Sequence, residues 1–491
     1  MILQLNHLNS QAAIATTPNV VEALYRLVED GHIDPAQFAR LQVQLDWVQY
    51  KQNFREIVTV SRGARTKDER RPPVMDMRID TRQVTPDTLR AEILRAMEAS
   101  DPEKVPERSP GAQNQDRIPL EDFKSFRHSI AWEFNKLYWT HLGDWEKATG
   151  RGYQQALPGG KSDGANDEAV ADSVADFWTL LRDMETKKQL PAEIFILELG
   201  VGSGTRCGMF VERFRALDQQ RGTSYYPRLR VLMGDYSLET LDMSRPAMQE
   251  HIELCSFLAL DALNPLKTLS FLRHKILYVH STNMYDNLPD EEILRRDGRL
   301  FYVHVRACVP MSDAVKIAET FKVPVESIRG MVDKLLGNGP DFIGDRGCGM
   351  AFWQELWQAM RLEEKIVAFE DLPDLALPAG LDVPRLEDIL EEAPGDLRFH
   401  LSSGALESFV NTIPVLHPRG YLQVQDIFVT DLNDYRVGFH GPGKMDGSIV
   451  NWVNGPLLKA VAERAGYDLH FAPYRYRKGS KTSVLYTTPR E

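Results

Sequence analysis

The chain has 491 residues, too many for one hydrophobic core, so it divides into two or three domains. Its hydrophobic fraction of 43% is ordinary for a soluble globular protein, and a net charge of -12 argues against a broad nucleic-acid surface while leaving a local basic patch open. The four cysteines, Cys207, Cys255, Cys308 and Cys348, show neither zinc-ligand nor CxxC spacing, which reads as reduced thiols in a cytoplasmic protein.

In chain order, residues 1–160 read as an N-terminal helical region and cap. They lack the basic start and long apolar run of a signal peptide, and no later stretch reads as a transmembrane helix. Thr17-Pro18 starts a helix that stops at Gly31, and Asp34-Pro35 starts another with Phe38, Leu41, Leu45 and Val48 in a stripe. "SRGARTKDERRPP" and "ASDPEKVPERSPGAQNQDR" read as polar linkers. Phe123, Phe126, Ile130, Phe134 and Leu137 mark an amphipathic helix. From Ala165 helices and strands alternate: "IFILELGVGSGTRCG" opens the series, then come "RLRVLMGDY", "SFLALDA", "KILYVHSTNMYDNLP", "GYLQVQDIF", "YDLHFAPY" and "TSVLYTT". Residues 310–395 are helical and broken by prolines, and read as an insertion. The expected architecture is α/β, a seven-stranded doubly wound sheet in two parts, 161–309 and 396–491, with the N-terminal helical region and the helical insertion outside it.

The glycines decide what such a sheet holds. A dinucleotide fold spaces them GxGxxG, with an acid about 20 residues on. Here Gly200, Gly202 and Gly204 alternate, Glu198 precedes them inside the strand, Asp235 ends the second strand and Asp261 the third. In "ELGVGSGT" and in the order of its elements the chain resembles the class I S-adenosylmethionine-dependent methyltransferases. The resemblance implies a Rossmann-like methyltransferase domain that binds S-adenosyl-L-methionine through Glu198, Gly200, Gly202, Gly204, Thr205, Asp235, Tyr236, Asp261, Ala262 and Ser281. The chemistry agrees: glycines admit a close ligand backbone contact, helix-opening amides suit a carboxylate, and Asp235 can accept both ribose hydroxyls. A tight turn without ligand and a nicotinamide-dependent dehydrogenase are the competing readings, and the closing pair of strands separates the methyltransferase from the latter.

The exit of the fourth strand, "STNMYDNLPDEEILRRDGRLFYVHVRA", is similar to the MidA-type family, which includes a mitochondrial protein-arginine methyltransferase needed for respiratory complex I assembly. Asn283, Tyr285, Asp286, Leu288 and Pro289 carry the match, with Asp426 at the end of the fifth strand. Met284 replaces that family's glutamate, and the first 150 residues have no counterpart in it. The candidate catalytic residues are Asp286, to accept a proton or orient the nucleophile, Tyr285 as a pocket wall or core residue, and His440 in the loop "YRVGFHGPGKMDGSIVNWVNGP", which also holds Lys444, Asp446, Asn451 and Trp452. Asp286 could equally cap the Leu288-Pro289 turn, and the loop could be purely structural. Tyr138, Trp139, His141, Trp145 and Tyr153 read as an aromatic cap over the methyl donor or as helix packing. No histidine set suggests a metal. The expected activity is methyl transfer to a nitrogen or oxygen of a small molecule or peptide, without membrane contact; the oligomeric state is left open, a homodimer being one option. A protein (arginine) methyltransferase or assembly factor of the MidA type and a non-catalytic cofactor-binding interaction protein are the alternatives.

Overall fold

An apolar strand buried on both faces needs neighbours on both sides, and five strands pair in parallel here, the outermost of them partly exposed. The structure, a computed structural model, describes residues 2–7, 10–38, 42–47, 52–53, 61–62, 75–80, 85–87, 90–91, 94, 117–153, 162–372, 377–436 and 442–490. The core strands are β1 (Ile194–Leu199), β2 (Leu229–Asp235), β3 (Cys255–Ala259), β4 (Ile276–Thr282), β5 (Leu416–Asp426), β6 (Tyr467–Pro473) and β7 (Ser483–Pro489). They form one seven-stranded sheet in the order β3-β2-β1-β4-β5-β7-β6. The first five are parallel, while β7 runs antiparallel to both β5 and β6.

Alternate side chains of these strands enter different apolar clusters. Ile196, Val231, Met233 and Tyr278 pack with Phe177 of helix Asp167–Thr186 and with Phe210 and Phe214 of helix Thr205–Arg221. Leu197, Leu232, Val279 and Val424 pack with Phe409 of helix Ser403–Thr412 and Leu458 of helix Gly455–Arg464. Each such side chain, fully buried, stabilises the fold by about 1.5–3 kcal/mol. Parallel strands need crossover connections, so their carboxyl ends collect on one edge of the sheet.

A second sheet draws on sequence on both sides of the expected domain limits. Strands Arg361–Ala368, Arg299–Pro310, Glu292–Arg296 and Leu397–His400 lie in that order, all antiparallel, and Arg117–Pro119 and Lys124–Ser125 also pair with Arg299–Pro310. The turn at Asp297 and Gly298, both at positive φ, starts the long strand. Residues 310–395 therefore contain the strand Arg361–Ala368 beside their helices, a correction to the all-helical reading. Its run of Glu363, Glu364 and Lys365 hid it, as charge on an edge strand does. The N-terminal region is likewise mixed. Helix Ser10–Glu29 forms, with Pro18 inside it rather than at its start, helix Pro35–Phe38 follows, and Gln42–Trp47 is a strand in a sheet with Ile2–His7 and Met75–Asp80. In "QVQLDW" the two-residue period outweighed the helical stripe expected there.

Helix Ile130–Thr140 is fastened over the carboxyl edge by buried polar groups. Glu121 accepts from Ser129 Oγ and the amides of Ile130 and Ala307, which ties the start of the helix to the second sheet. Farther along, Asn135 donates to the Asn287 carbonyl (3.0 Å) and accepts from the Ile449 amide (2.8 Å). Asn135→Ala removes the partner of two buried main-chain groups, each worth about 1–3 kcal/mol. Urea denaturation is expected to show a loss of about 2–6 kcal/mol; an unchanged midpoint would mean that the helix is held elsewhere.

Candidate functional site

At the end of β1 the chain turns on glycine. Gly200, Gly202 and Gly204 all have positive φ, and the Gly200 amide donates to the Gly234 carbonyl (2.9 Å), which draws the ends of β1 and β2 together. A Cβ on Gly204 would lie 2.7 Å from the Ser244 carbonyl oxygen, whereas one on Gly202 would have no atom within 4 Å. The first glycine joins two strand ends, the third allows close packing, and the middle one faces open space. Helix Thr205–Arg221 follows with no side-chain cap, and exposed Thr205 has its Oγ1 2.8 Å from Ser203 Oγ. Its first-turn amides suit an anionic group.

Asp235 stands half-buried at the end of β2, with Oδ1 accepting from the Ser237 amide (2.9 Å). Burial raises its carboxyl to about 6, against hydrogen bonds from the amides of Ser237, Val201 and Tyr236. Its own carbonyl accepts from the Leu260 amide (2.9 Å), which brings the exit of β3 alongside. Exposed Asp261 lies just beyond β3 and accepts from the Leu263 amide (2.9 Å). Half-buried Ala262 packs against the core, and Tyr236 is exposed beside Asp235, its hydroxyl 3.4 Å from the Lys136 carbonyl. Ser281 is fully buried on β4, and its hydroxyl has no partner among the described residues.

Glu198 does not follow the pattern of the other acids. Its carboxylate is engaged by the protein: Oε2 accepts from Arg206 (2.9 Å), and Oε1 lies 3.0 Å from His280 Nδ1. Arg206 also donates to the Tyr278 hydroxyl (2.6 Å), which donates to Gln423, which in turn donates to the Tyr486 hydroxyl (3.0 Å). The network runs across four strands and starts in the first turn of the helix after the glycines. Burial alone would raise the Glu198 carboxyl, but its two partners hold it below the usual range. Burial, and next the Arg206 guanidinium, push the His280 imidazole down to about 4, with Glu198 opposing. His280 is thus neutral at pH 7 and serves as a hydrogen-bond donor through Nδ1, and the charge pairing belongs to Arg206. Through these partners Glu198 braces the turn from the protein side. Arg206, Tyr278, His280 and Gln423 were not singled out in the sequence; the charged Arg206 directly after a glycine turn was the available signal.

Past β4, Asp286 and Asp426 come together. Asp426, at the end of β5, is 0% exposed and Asp286 is 6% exposed. Asp426 Oδ2 accepts from the amides of Met284 (3.1 Å), Tyr285 (2.8 Å) and Asp286 (3.3 Å), and Oδ1 from Ile427 (2.8 Å). Asp286 Oδ1 accepts from Asn287 Nδ2 (2.7 Å). The Tyr285 ring lies in the apolar core, so its contribution is the main-chain amide and not a pocket wall. His440 falls outside the described residues.

Of the aromatic cap, Tyr138 and Trp145 are buried helix packing, with Trp145 edge-on to Trp353 (4.7 Å). Tyr153 differs: it meets Trp139 (4.9 Å), packs against Ile427, Met445 and Val450, and its phenol is raised by burial and by the charges of Asp286 and Asp426. In the loop after β5, Lys444 donates to the carbonyls of Trp357 and Met360 at the end of helix Arg346–Ala359, and Asp446 accepts from Trp145 Nε1 (3.0 Å), so both are structural. Among the described residues one group brings potential metal ligands within 4.8 Å of one another, His141, Asp144 and Glu239, and there Asp144 is already paired with Arg346. Among the described residues no helix is long and apolar enough to cross a membrane.

No protein-family model matches the chain, and no curated protein matches its sequence. Similar solved structures include a candidate methyl transferase from Burkholderia thailandensis bound to S-adenosyl-homocysteine, at 13% identity over 77% of this chain and 89% of that one, with a TM-score of 0.42. An uncharacterised protein of the same organism matches at 11% identity over 77% and 88%, also with a TM-score of 0.42. The CurJ carbon methyltransferase matches at 10% over 74% and 70%, with a TM-score of 0.29. Likenesses this distant leave the chemistry to the geometry of the site.

Because the unfolded imidazole titrates near 6.5 and His280 near 4, the stability that His280 contributes is complete above about pH 6.5 and is lost as the pH falls toward 4. Its NMR signal, identified by its loss in His280→Gln, is expected to stay that of a neutral ring between about pH 5 and 8. A midpoint near 6.5 would mean that the network is open to solvent.

Proposed function

We propose that this chain is an S-adenosylmethionine-dependent methyltransferase on a doubly wound Rossmann-like sheet, acting on a nucleophilic nitrogen or oxygen of a small molecule or peptide. Residues 161–309 and 396–491 then form the methyltransferase domain, with 1–160 and 310–395 as its cap and insertion. The observation that carries this is the carboxyl edge of β1 and β2: a glycine turn whose middle member faces open space, an uncapped helix behind it, and a half-buried acid at the next strand end. That edge belongs to a sheet closed by an antiparallel β6–β7 pair.

The donor set fits the cofactor. The amides opening helix Thr205–Arg221 suit its carboxylate, Gly202 leaves room for close main-chain approach, and Asp235 can accept the ribose hydroxyls. When bound, the cofactor supplies an electrophilic methyl group on a sulfonium. The chain's own residues position the reactants and exclude water, which is where most of the rate of such a displacement originates. Asp286, Asp426 and Tyr153 stand beyond β4 and β5 as the groups that meet the nucleophile and its proton.

Calorimetry with S-adenosylmethionine is expected to show binding, weakened roughly 10- to 100-fold in Asp235→Ala, the worth of a charged hydrogen-bond pair. Because the ribose contact needs the carboxylate, affinity is expected to be level above about pH 7 and to fall as the pH drops through 6. Gly202→Ala meets no protein atom, so it is expected to fold and to lose the cofactor. Binding of a nicotinamide dinucleotide, with no heat from S-adenosylmethionine, would overturn the assignment.

A further inference from the structure

We infer that Asp286 and Asp426 act as one carboxyl pair, in which Asp426 is a positioning residue that takes the main-chain donors and Asp286 holds the exchangeable proton, so that the site receives an uncharged N–H or O–H nucleophile. The catalytic meaning of the pair rests on the methyltransferase reading; its physical content does not.

The geometry is unequal. Four amides converge on Asp426, three of them from residues 284–286, so the carboxylate is the centre around which the turn after β4 folds. Asp286 has one side-chain donor, Asn287 Nδ2. Both side chains are buried, the Asp286 amide donates to Asp426 Oδ2 (3.3 Å), and the two carboxyls lie within hydrogen-bond and charge reach of each other; two buried carboxyls so placed do not both ionise cheaply. The charge stays where most of the amides are, and the proton stays on the partner with fewer donors. The groups facing the pair from the packed elements are consistent with this. The cap contributes Tyr153, a phenol, and the loop after β5 contributes the Asn451 amide, which donates to the Asp286 carbonyl (2.8 Å). Among the described residues no lysine, arginine or histidine is paired with either acid. The shifts agree in direction: burial first, and Asp426 next, push Asp286 well above the usual carboxylate range, while Asp426 rises only to about 6 against its amides.

The substrate class follows from the charge. At neutral pH the pair carries one negative charge, already met by amides, and it presents a neutral carboxyl. A guanidinium needs a free carboxylate fork, which this pair lacks. An amine, amide or hydroxyl can share hydrogen bonds with the carboxyl of Asp286. The singly charged pair can take one further proton: the proton shed by the nucleophile moves onto an Asp286 oxygen while the proton that Asp286 held passes to the Asp426 carboxylate, and the pair, then neutral, returns to its starting state by losing one proton to solvent.

Infrared difference spectroscopy of the full-length protein, with and without Asp286→Asn, reads the proton directly. The carbonyl band of a protonated carboxyl is expected at pH 7 in the wild type and absent in D286N. In Asp426→Asn the same band is expected to titrate away at least about one pH unit lower, because the neighbouring charge is gone. A wild type without the band at pH 7, or an unmoved midpoint in a folded D426N, overturns the inference. If D426N does not fold, the comparison of wild type with D286N still decides. Calorimetry with S-adenosylmethionine runs separately: no binding with the band present refutes the methyltransferase reading alone, and binding with the band absent refutes the pair alone.

Discussion

One buried ion pair brackets the glycine turn. Glu198 stands two residues before Gly200, and Arg206 lies in the first turn of the helix that follows Gly204. A buried carboxylate without a partner costs several kcal/mol, and breaking such a pair typically costs about 3–5 kcal/mol. The two ends of the turn therefore cannot drift apart without exposing or stranding a charge. Arg206 extends the constraint to Tyr278 on β4, and Tyr278 extends it to Gln423 on β5, so the sheet and the turn move as one body. A ligand held by main-chain amides needs them pre-aligned, and this network is what aligns them.

Strand-end acids show how position sorts one residue type into different tasks. Asp235 is half-buried at the edge of the sheet, with the Ser237 amide on Oδ1 and the amides of Val201 and Tyr236 also favouring its charge, which sets an acceptor where a ligand can reach it. Asp426 is fully buried and surrounded by amides, which makes it part of the scaffold. Asp286 lies between these cases, buried but poor in donors, the environment in which a carboxyl keeps its proton. The helix above them is fixed by groups from distant parts of the chain: Asn135 reaches the turn after β4 and the loop after β5, and Asp446 takes the indole of Trp145 while its carbonyl takes that of Trp357.

What the sequence by itself determined is local. Alternating glycines after an apolar strand predict a turn with positive φ, because other residues pay a steric penalty there, and all three glycines adopt it. Long apolar runs bounded by turns predict the core strands, whose bounds shift by a few residues at most. What only the tertiary structure decided are meetings across the chain. Asp286 and Asp426 lie 140 residues apart, and no local pattern says that they touch. Glu198 looks in sequence like an acid offered to a ligand, and only Arg206 and His280, brought in by the helix and by β4, show that it is occupied. In sequence Tyr285 reads equally as a pocket wall or a core residue, until the turn directs its ring into the core, and the loop of Lys444 reads as a substrate loop or a structural one, until the end of a helix from another segment arrives to be capped. The physical reason is common to all of these: backbone conformation follows from the steric preferences of neighbouring residues, whereas the role of a polar side chain follows from which charges and donors the fold places within about 3 Å of it.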